Sequence, residues 1–180
     1  KSLKTSTGNI TSLIDGFTED AKASPDPEQS ISRVNIEEVT RNVLEALRNE
    51  IEKNGVEIIT SFKTSEILFP KNNLRSIVYN LIHNAIKFCR IGEPLILKIE
   101  TYKKDDHVIL SLEDNGIGIA PQDQETIFKK EKRVSNEIDG TGMGLYIIRR
   151  MLYVHEGRIE VASKPGEGSI FTVYFKSIPH

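Results

Sequence analysis

The sequence predicts an α+β domain in which one largely antiparallel sheet carries helices over one face. Three observations predict it. Apolar residues recur at helical spacing in several segments, they alternate in short segments that fall into hairpins, and those hairpins are too frequent for a doubly wound parallel sheet. Composition agrees, because 38% hydrophobic and 28% charged residues in a chain of 180 can fill a core and offset chain entropy, which excludes disorder throughout. No apolar run approaches the ~18 residues that a membrane span needs. A net charge of −2 argues against a nucleic-acid binder, and the single cysteine, Cys89, excludes an internal disulfide framework and a cysteine-based zinc site. The N-terminus, KSLKTSTGNI, has no apolar leader core and no initial Met, so a reduced-compartment piece of a longer protein is expected.

Each element follows in order. Leu3, Ile10 and Phe17 are spaced by heptads, with Leu13, Ile14 and Ala21 beside them, so residues 1–24 read as a helix seeking a partner helix. Gly8 and Gly16 weaken it in isolation. Pro25 and Pro27 among polar residues make 25–34 a linker, and 35–180 the folded domain. Asn35 with Glu38 is a helix-start signal, and Ile36, Val39, Val43, Leu47 and Ile51 continue at helical spacing until Gly55. A strand is expected over 56–62. Pro70 opens a second helix, over about 72–89, whose apolar face runs from Leu74 to Phe88. Strands over about 95–102 and 108–112 form one hairpin, a short helix begins near Pro121, and a longer helix spans about 143–155. A closing hairpin turns at Lys164-Pro165-Gly166-Glu167-Gly168.

Four clusters carry possible chemistry. Asn80 and Asn84 lie one helical turn apart with Lys87 and Phe88 following. Amide oxygens suit Mg²⁺ and lysine suits phosphate, although a solvated polar stripe would look the same. Asp114-Asn115-Gly116-Ile117-Gly118-Ile119 follows a strand. Its carboxylate can accept from an amino group, and its glycines permit a tight turn and close ligand approach. Gly140-Thr141-Gly142-Met143-Gly144-Leu145 feeds a helix, where freed amides can cradle an anion, yet it is neither a Rossmann turn nor a Walker loop. Between them, Ile127-Phe128 precede the charged run Lys129 to Arg133, which reads as a lid whose arginine can offer a donor fork to phosphate.

Their order resembles the ATP-binding domain of the gyrase, Hsp90, histidine kinase and MutL superfamily, and more specifically the catalytic domain of a two-component sensor histidine kinase. The resemblance rests on Asn80 to Phe88, Asp114 to Ile119, Gly140 to Leu145 and Gly166-Glu167-Gly168-Ser169, and covers about residues 30–178. It implies the Bergerat-type fold, a two-layer α/β sandwich, preceded here by the second helix of a dimerization and phosphotransfer hairpin. It implies ATP and Mg²⁺ as cofactors. Asn84 would ligate the metal beside Asn80, Lys87 and Arg133 would meet phosphates, and Asp114 the adenine amino group. Phe88, Gly116, Gly118 and Ile119 would line the nucleotide, with Gly140, Thr141, Gly142, Met143, Gly144 and Leu145 at its phosphates. Ser169 stands where relatives often carry threonine.

The activity implied is transfer of the γ-phosphoryl group to a histidine on a hairpin helix outside this chain. The partners implied are that acceptor helix, a second protomer of the parent protein and a response-regulator receiver domain. The implied location is cytoplasmic, whether or not the parent is membrane-anchored. Two departures stand out. Ile127-Phe128 and Arg133 resemble the family's phenylalanine-containing lid box, but Glu131 replaces its usual second aromatic, and the first histidine is His83, well past the hairpin. An ATP-driven clamp of the same superfamily and a regulatory nucleotide-binding module are the alternative readings. His83 adjoins Asn84 and so points elsewhere on the helix, where a structural role is expected, as it is for Cys89 at the end of an apolar face.

Overall fold

The computed structural model describes residues 30–129 and 143–178. The helix expected over 1–24 lies outside them, as does most of the lid. The described chain begins with β1 (Ile31–Asn35), followed by α1 (Ile36–Ala46), α2 (Arg48–Lys53), β2 (Glu57–Phe62), β3 (Glu66–Pro70) and α3 (Lys71–Lys87). It continues with β4 (Ile96–Lys104), β5 (His107–Asp114), α4 (Pro121–Gln124), α5 (Gly144–Val154), β6 (Arg158–Lys164) and β7 (Gly168–Lys176).

Five strands form the main sheet in the order β2-β4-β5-β7-β6, with β2 parallel to β4 and every other pair antiparallel. The expected α+β class therefore holds, as a mixed, mostly antiparallel sheet with helices. Two features differ from the sequence reading. Residues 31–34 read as linker in the sequence, yet β1 pairs antiparallel with β3 in a separate two-stranded sheet, so the folded unit starts at least four residues earlier. The strand β3 was itself unforeseen. Its Ile67 and Phe69 are buried while Leu68 is 45% exposed, an alternation too short to stand out between Ser65 and Pro70.

Helix α1 starts where expected. The Asn35 side-chain oxygen accepts from the Glu38 amide at 3.1 Å, satisfying one of the helix's unpaired donors. A turn at Leu47 divides the single helix expected over 36–51 into α1 and α2. Helix α3 buries Leu74, Ile77, Val78, Leu81, Ile82, Ala85 and Ile86. At about 1.5–3 kcal/mol for each large aliphatic side chain removed from water, that stripe outweighs the several tenths of a kcal/mol that each β-branched residue costs a helix. It packs on the inward residues of the sheet, among them Leu97, Ile99, Leu110, Leu112 and Val173. Phe69 meets Phe175 edge-on at 5.2 Å between centroids and His155 at 4.8 Å, joining the small sheet to β7 and to the end of α5. The helices thus cover one face and leave the loops after α3 and β5 at one end.

Candidate functional site

Asp114 is the last residue of β5, the point where the chain must stop pairing and turn. Its Oδ1 accepts from the Gly116 amide at 2.8 Å, and the Ser169 amide also donates to the carboxylate. Burial nevertheless dominates, pushing the carboxyl above the ordinary aspartate range, while the two amides pull it back in part and Glu113 adds a small upward push. The result is a half-buried acceptor held in one orientation.

The turn that follows is shaped by contacts with the chain's own backbone. The Ile117 amide donates to the Phe88 carbonyl at 3.0 Å, and the Gly166 amide donates to the Ile117 carbonyl at 2.8 Å. A Cβ on Gly116 would lie 2.5 Å from the Phe88 carbonyl oxygen. Gly118 sits at φ +71°, and a Cβ there would overlap the Lys164 carbonyl. These glycines were expected to permit close ligand approach; in the described structure they let the turn press against α3's end and the β6–β7 hairpin.

On α3, the Asn80 amide nitrogen donates to the Ser76 carbonyl at 2.8 Å. This aims its oxygen at the start of α5, where a Cβ on Gly144 would come within 2.7 Å of it. Asn84 is half-buried one turn further on, and its backbone carbonyl caps the helix by accepting from the Phe88 amide at 2.9 Å. The Lys87 ammonium lies 5.3 Å from the Phe88 ring centroid. Met143 precedes α5, and Leu145 packs against the core from its first turn. Asn80, Asn84, Lys87, Phe88, Asp114, Gly116, Gly118, Ile119, Met143, Gly144, Leu145 and Ser169 are all described. Arg133, Gly140, Thr141, Gly142 and Glu131 lie outside the described residues.

Ser169 is 7% exposed, and its hydroxyl lies 3.0 Å from that of Ser163. Ser163 was missed from sequence. Its hydroxyl accepts from the Ile119 amide at 2.8 Å and donates to the Gly168 carbonyl at 2.7 Å, joining the turn after β5 to the closing hairpin. Gln124 of α4 adds bonds to the carbonyls of Ile119 and Ser163, at 3.1 and 2.8 Å. A signal did exist, since Ser163 continues the alternation of core-facing Ile159 and Val161 as a polar residue on an apolar side. Asn115, part of the turn singled out from sequence, has a role that its motif does not announce. Its side chain accepts from the Ile96 amide at 2.8 Å and donates to the Pro94 carbonyl at 3.0 Å, fastening the turn to the start of β4.

His83 has the structural setting expected of it. Its ring stacks on Tyr79 at 5.6 Å, and its Nε2 lies 3.9 Å from a Glu50 carboxylate oxygen. Burial lowers its pKa, partly offset by Glu50. Cys89 packs against the core. Among the described residues no three histidine, cysteine, aspartate or glutamate side chains cluster as a metal site. Among the described residues, the donors at hand for a divalent cation are the neutral amide oxygens of Asn80 and Asn84, to which a bound nucleotide would add its phosphates. That donor set fits Mg²⁺, which keeps waters and phosphate oxygens around it and takes few protein ligands.

Residues 70–178 match the family model described as histidine kinase-, DNA gyrase B- and HSP90-like ATPase. The chain is 37% identical over 169 residues to the phytochrome-like protein Cph1 of Synechocystis, a match that covers 93% of this chain and 22% of Cph1. The fold superposes on the mycobacterial sensor histidine kinase MprB with a TM-score of 0.71 at 24% identity, over 83% of this chain and 99% of that one. It also superposes on full-length ShkA in complex with AMPPNP, with a TM-score of 0.74 at 25% identity, over 100% of this chain and 41% of that one. The chain spans between 18% and 27% of the length of the first three curated relatives it matches. This chain belongs to the histidine kinase-, DNA gyrase B- and HSP90-like ATPase family and carries the ATP-binding catalytic domain of a sensor histidine kinase.

Proposed function

We propose that this domain binds Mg-ATP between α3, the turn after β5 and the start of α5, and passes the γ-phosphoryl group to a histidine on a separate acceptor helix. The observation that carries this reading is the meeting of the three motifs. The Gly116 turn is built onto the Phe88 carbonyl at the end of α3, and Gly144 abuts the Asn80 oxygen at its middle. Asp114 is then the acceptor for the adenine amino group. Asn84 holds Mg²⁺ beside Asn80, and Lys87 and Arg133 meet phosphate oxygens. The magnesium ion, when bound, supplies charge neutralisation at the phosphates. The chain's own residues orient the nucleotide, which suits a transfer in which positioning and electrostatics do most of the catalysis.

The acceptor is a histidine other than His83, which is engaged with Tyr79 and Glu50. The hairpin helix expected over residues 1–24, with Leu3, Ile10 and Phe17 as its seam, lies outside the described residues. The parent protein is a homodimer on the cytoplasmic side, and a response-regulator receiver domain takes the phosphoryl group onward. Among the described residues no helix is long and apolar enough to cross a membrane. The test supplies labelled Mg-ATP and a separate acceptor-helix domain from a two-component kinase. Acid-labile phosphate on that domain is the expected product, and its absence with a nucleotide-bound chain would refute the transfer.

A further inference from the structure

Arg90 stands just beyond the end of α3, outside every motif read from the sequence. Its side chain is 30% exposed, and its three nitrogens reach three different segments. The Nε donates to the Asn115 carbonyl at 2.9 Å, in the turn after β5. One terminal nitrogen donates to the Gly166 carbonyl at 3.2 Å, in the β6–β7 turn. The other pairs with Glu93 at 2.8 Å, within its own loop. Among the described residues, the backbone bonds outside helices and strands that join these segments run from Ile117 to Phe88 and from Gly166 to Ile117. The two carbonyls that Arg90 gathers belong to the residue after Asp114 and to the turn that delivers Gly168 and Ser169 beside it.

We infer that Arg90 is a positioning residue for the nucleobase side of the site, a guanidinium tie that holds the walls around Asp114 at binding distance. The planar fork is what the task requires. One group must satisfy two carbonyls pointing from different turns and a carboxylate behind them, and a lysine ammonium is a flexible point charge without that fixed geometry. Glu93 neutralises the arginine, so the tie adds no net charge next to the Asp114 carboxylate. This inference rests on the reading of Asp114 as the nucleobase acceptor.

The test compares wild type, R90A, R90K, E93Q and D114N in the full 180-residue chain, reading ADP affinity by calorimetry and amide exchange by mass spectrometry. R90A should raise the Kd for ADP about tenfold, the equivalent of one charge-assisted hydrogen bond. Exchange should quicken at the amides of Ile117 and Gly166 but not across the α3 core. R90K should recover only part of the affinity, and added methylguanidinium should restore R90A towards wild type by refilling the fork. E93Q, which keeps both carbonyl bonds, should weaken binding less than R90A and serves if R90A folds poorly. Unchanged ADP affinity in R90A, or failure of methylguanidinium to restore any of it, would overturn the inference. If D114N binds ADP as wild type does, the nucleobase reading itself falls and this inference with it.

Discussion

Asp114 and Ser169 are register partners across β5 and β7, and the Ser169 amide donates to the Asp114 carboxylate. The closing hairpin therefore orients the side chain that the nucleobase would meet. Asp114→Asn keeps the shape but turns one acceptor oxygen into a donor facing the adenine amino group. Loss of a charge-assisted bond together with the mismatch should cost about 1.5–3 kcal/mol, or roughly tenfold to a hundredfold in affinity. ATP should also bind far better than GTP, whose base carries a carbonyl at that position. Calorimetry giving equal affinities for ATP and GTP would remove Asp114 from the role.

The same carboxylate should make nucleotide binding sensitive to acid. Burial raises its pKa above the ordinary aspartate value, so the folded domain takes up this proton before the unfolded chain does. For this group alone, the charged form costs stability above the folded pKa, and that cost disappears as pH falls through it. Binding runs the opposite way, because protonation removes the acceptor. ADP affinity should therefore decline on acidification starting above the usual aspartate range, and D114N should lack that component. A titration of Kd against pH for both proteins checks the sign.

Glycine positions should separate packing from strain. Gly118 and Gly166 both have positive φ, at +71° and +78°, but nothing lies within 4 Å of a Cβ added to Gly166. G166A should lose only about 1–2 kcal/mol from the left-handed backbone. G118A meets that cost and also drives a methyl group into the Lys164 carbonyl, so it should be destabilised well beyond G166A. Urea unfolding of the two variants gives the comparison directly.

Local chemistry explains what could be read in the sequence. Asn35 and Pro70 marked helix starts because caps act within a few residues, and the α3 stripe announced its buried face through spacing alone. The Asp114 and Asn80 segments stood out because glycines and amides recur there at short spacing. Pairing partners carry no such local mark. β1 lies in what reads as a linker and pairs with β3, about thirty-five residues away, and the parallel pairing of β2 with β4 has no signature in either strand. Arg90 was illegible for the same reason, since it acts through carbonyls of distant turns, and the alternation that set Ser163 on an apolar side did not name the distant amide and carbonyl it serves.

Ser163 offers a test of that hidden wiring. Its hydroxyl serves the Ile119 amide, the Gly168 carbonyl and the Ser169 hydroxyl together. S163A leaves a part-buried donor and acceptor without this partner, which should cost about 1–3 kcal/mol for each group left unsatisfied. Chemical denaturation should show that loss, with little change in the slope against denaturant because the surface exposed on unfolding is unchanged. A variant as stable as wild type would mean that water takes over all three bonds.

Asn80 decides between a kinase and a clamp. Clamp ATPases of the superfamily resembled here carry a glutamate four residues before the magnesium-binding asparagine, where it activates water. The corresponding residue is Asn80, whose nitrogen donates to the Ser76 carbonyl and whose oxygen faces Gly144. An amide does not accept a proton at neutral pH, so it cannot serve as the general base. Water bound near the γ-phosphate then stays a poor nucleophile, and ATP persists until an imidazole is presented. The chain alone should hydrolyse ATP slowly, with phosphate transfer only when an acceptor helix is supplied. Steady-state phosphate release, measured with and without that helix, checks both halves. Fast turnover without it would favour the clamp, and phosphate recovered on His83 or His155 would place the acceptor within this chain.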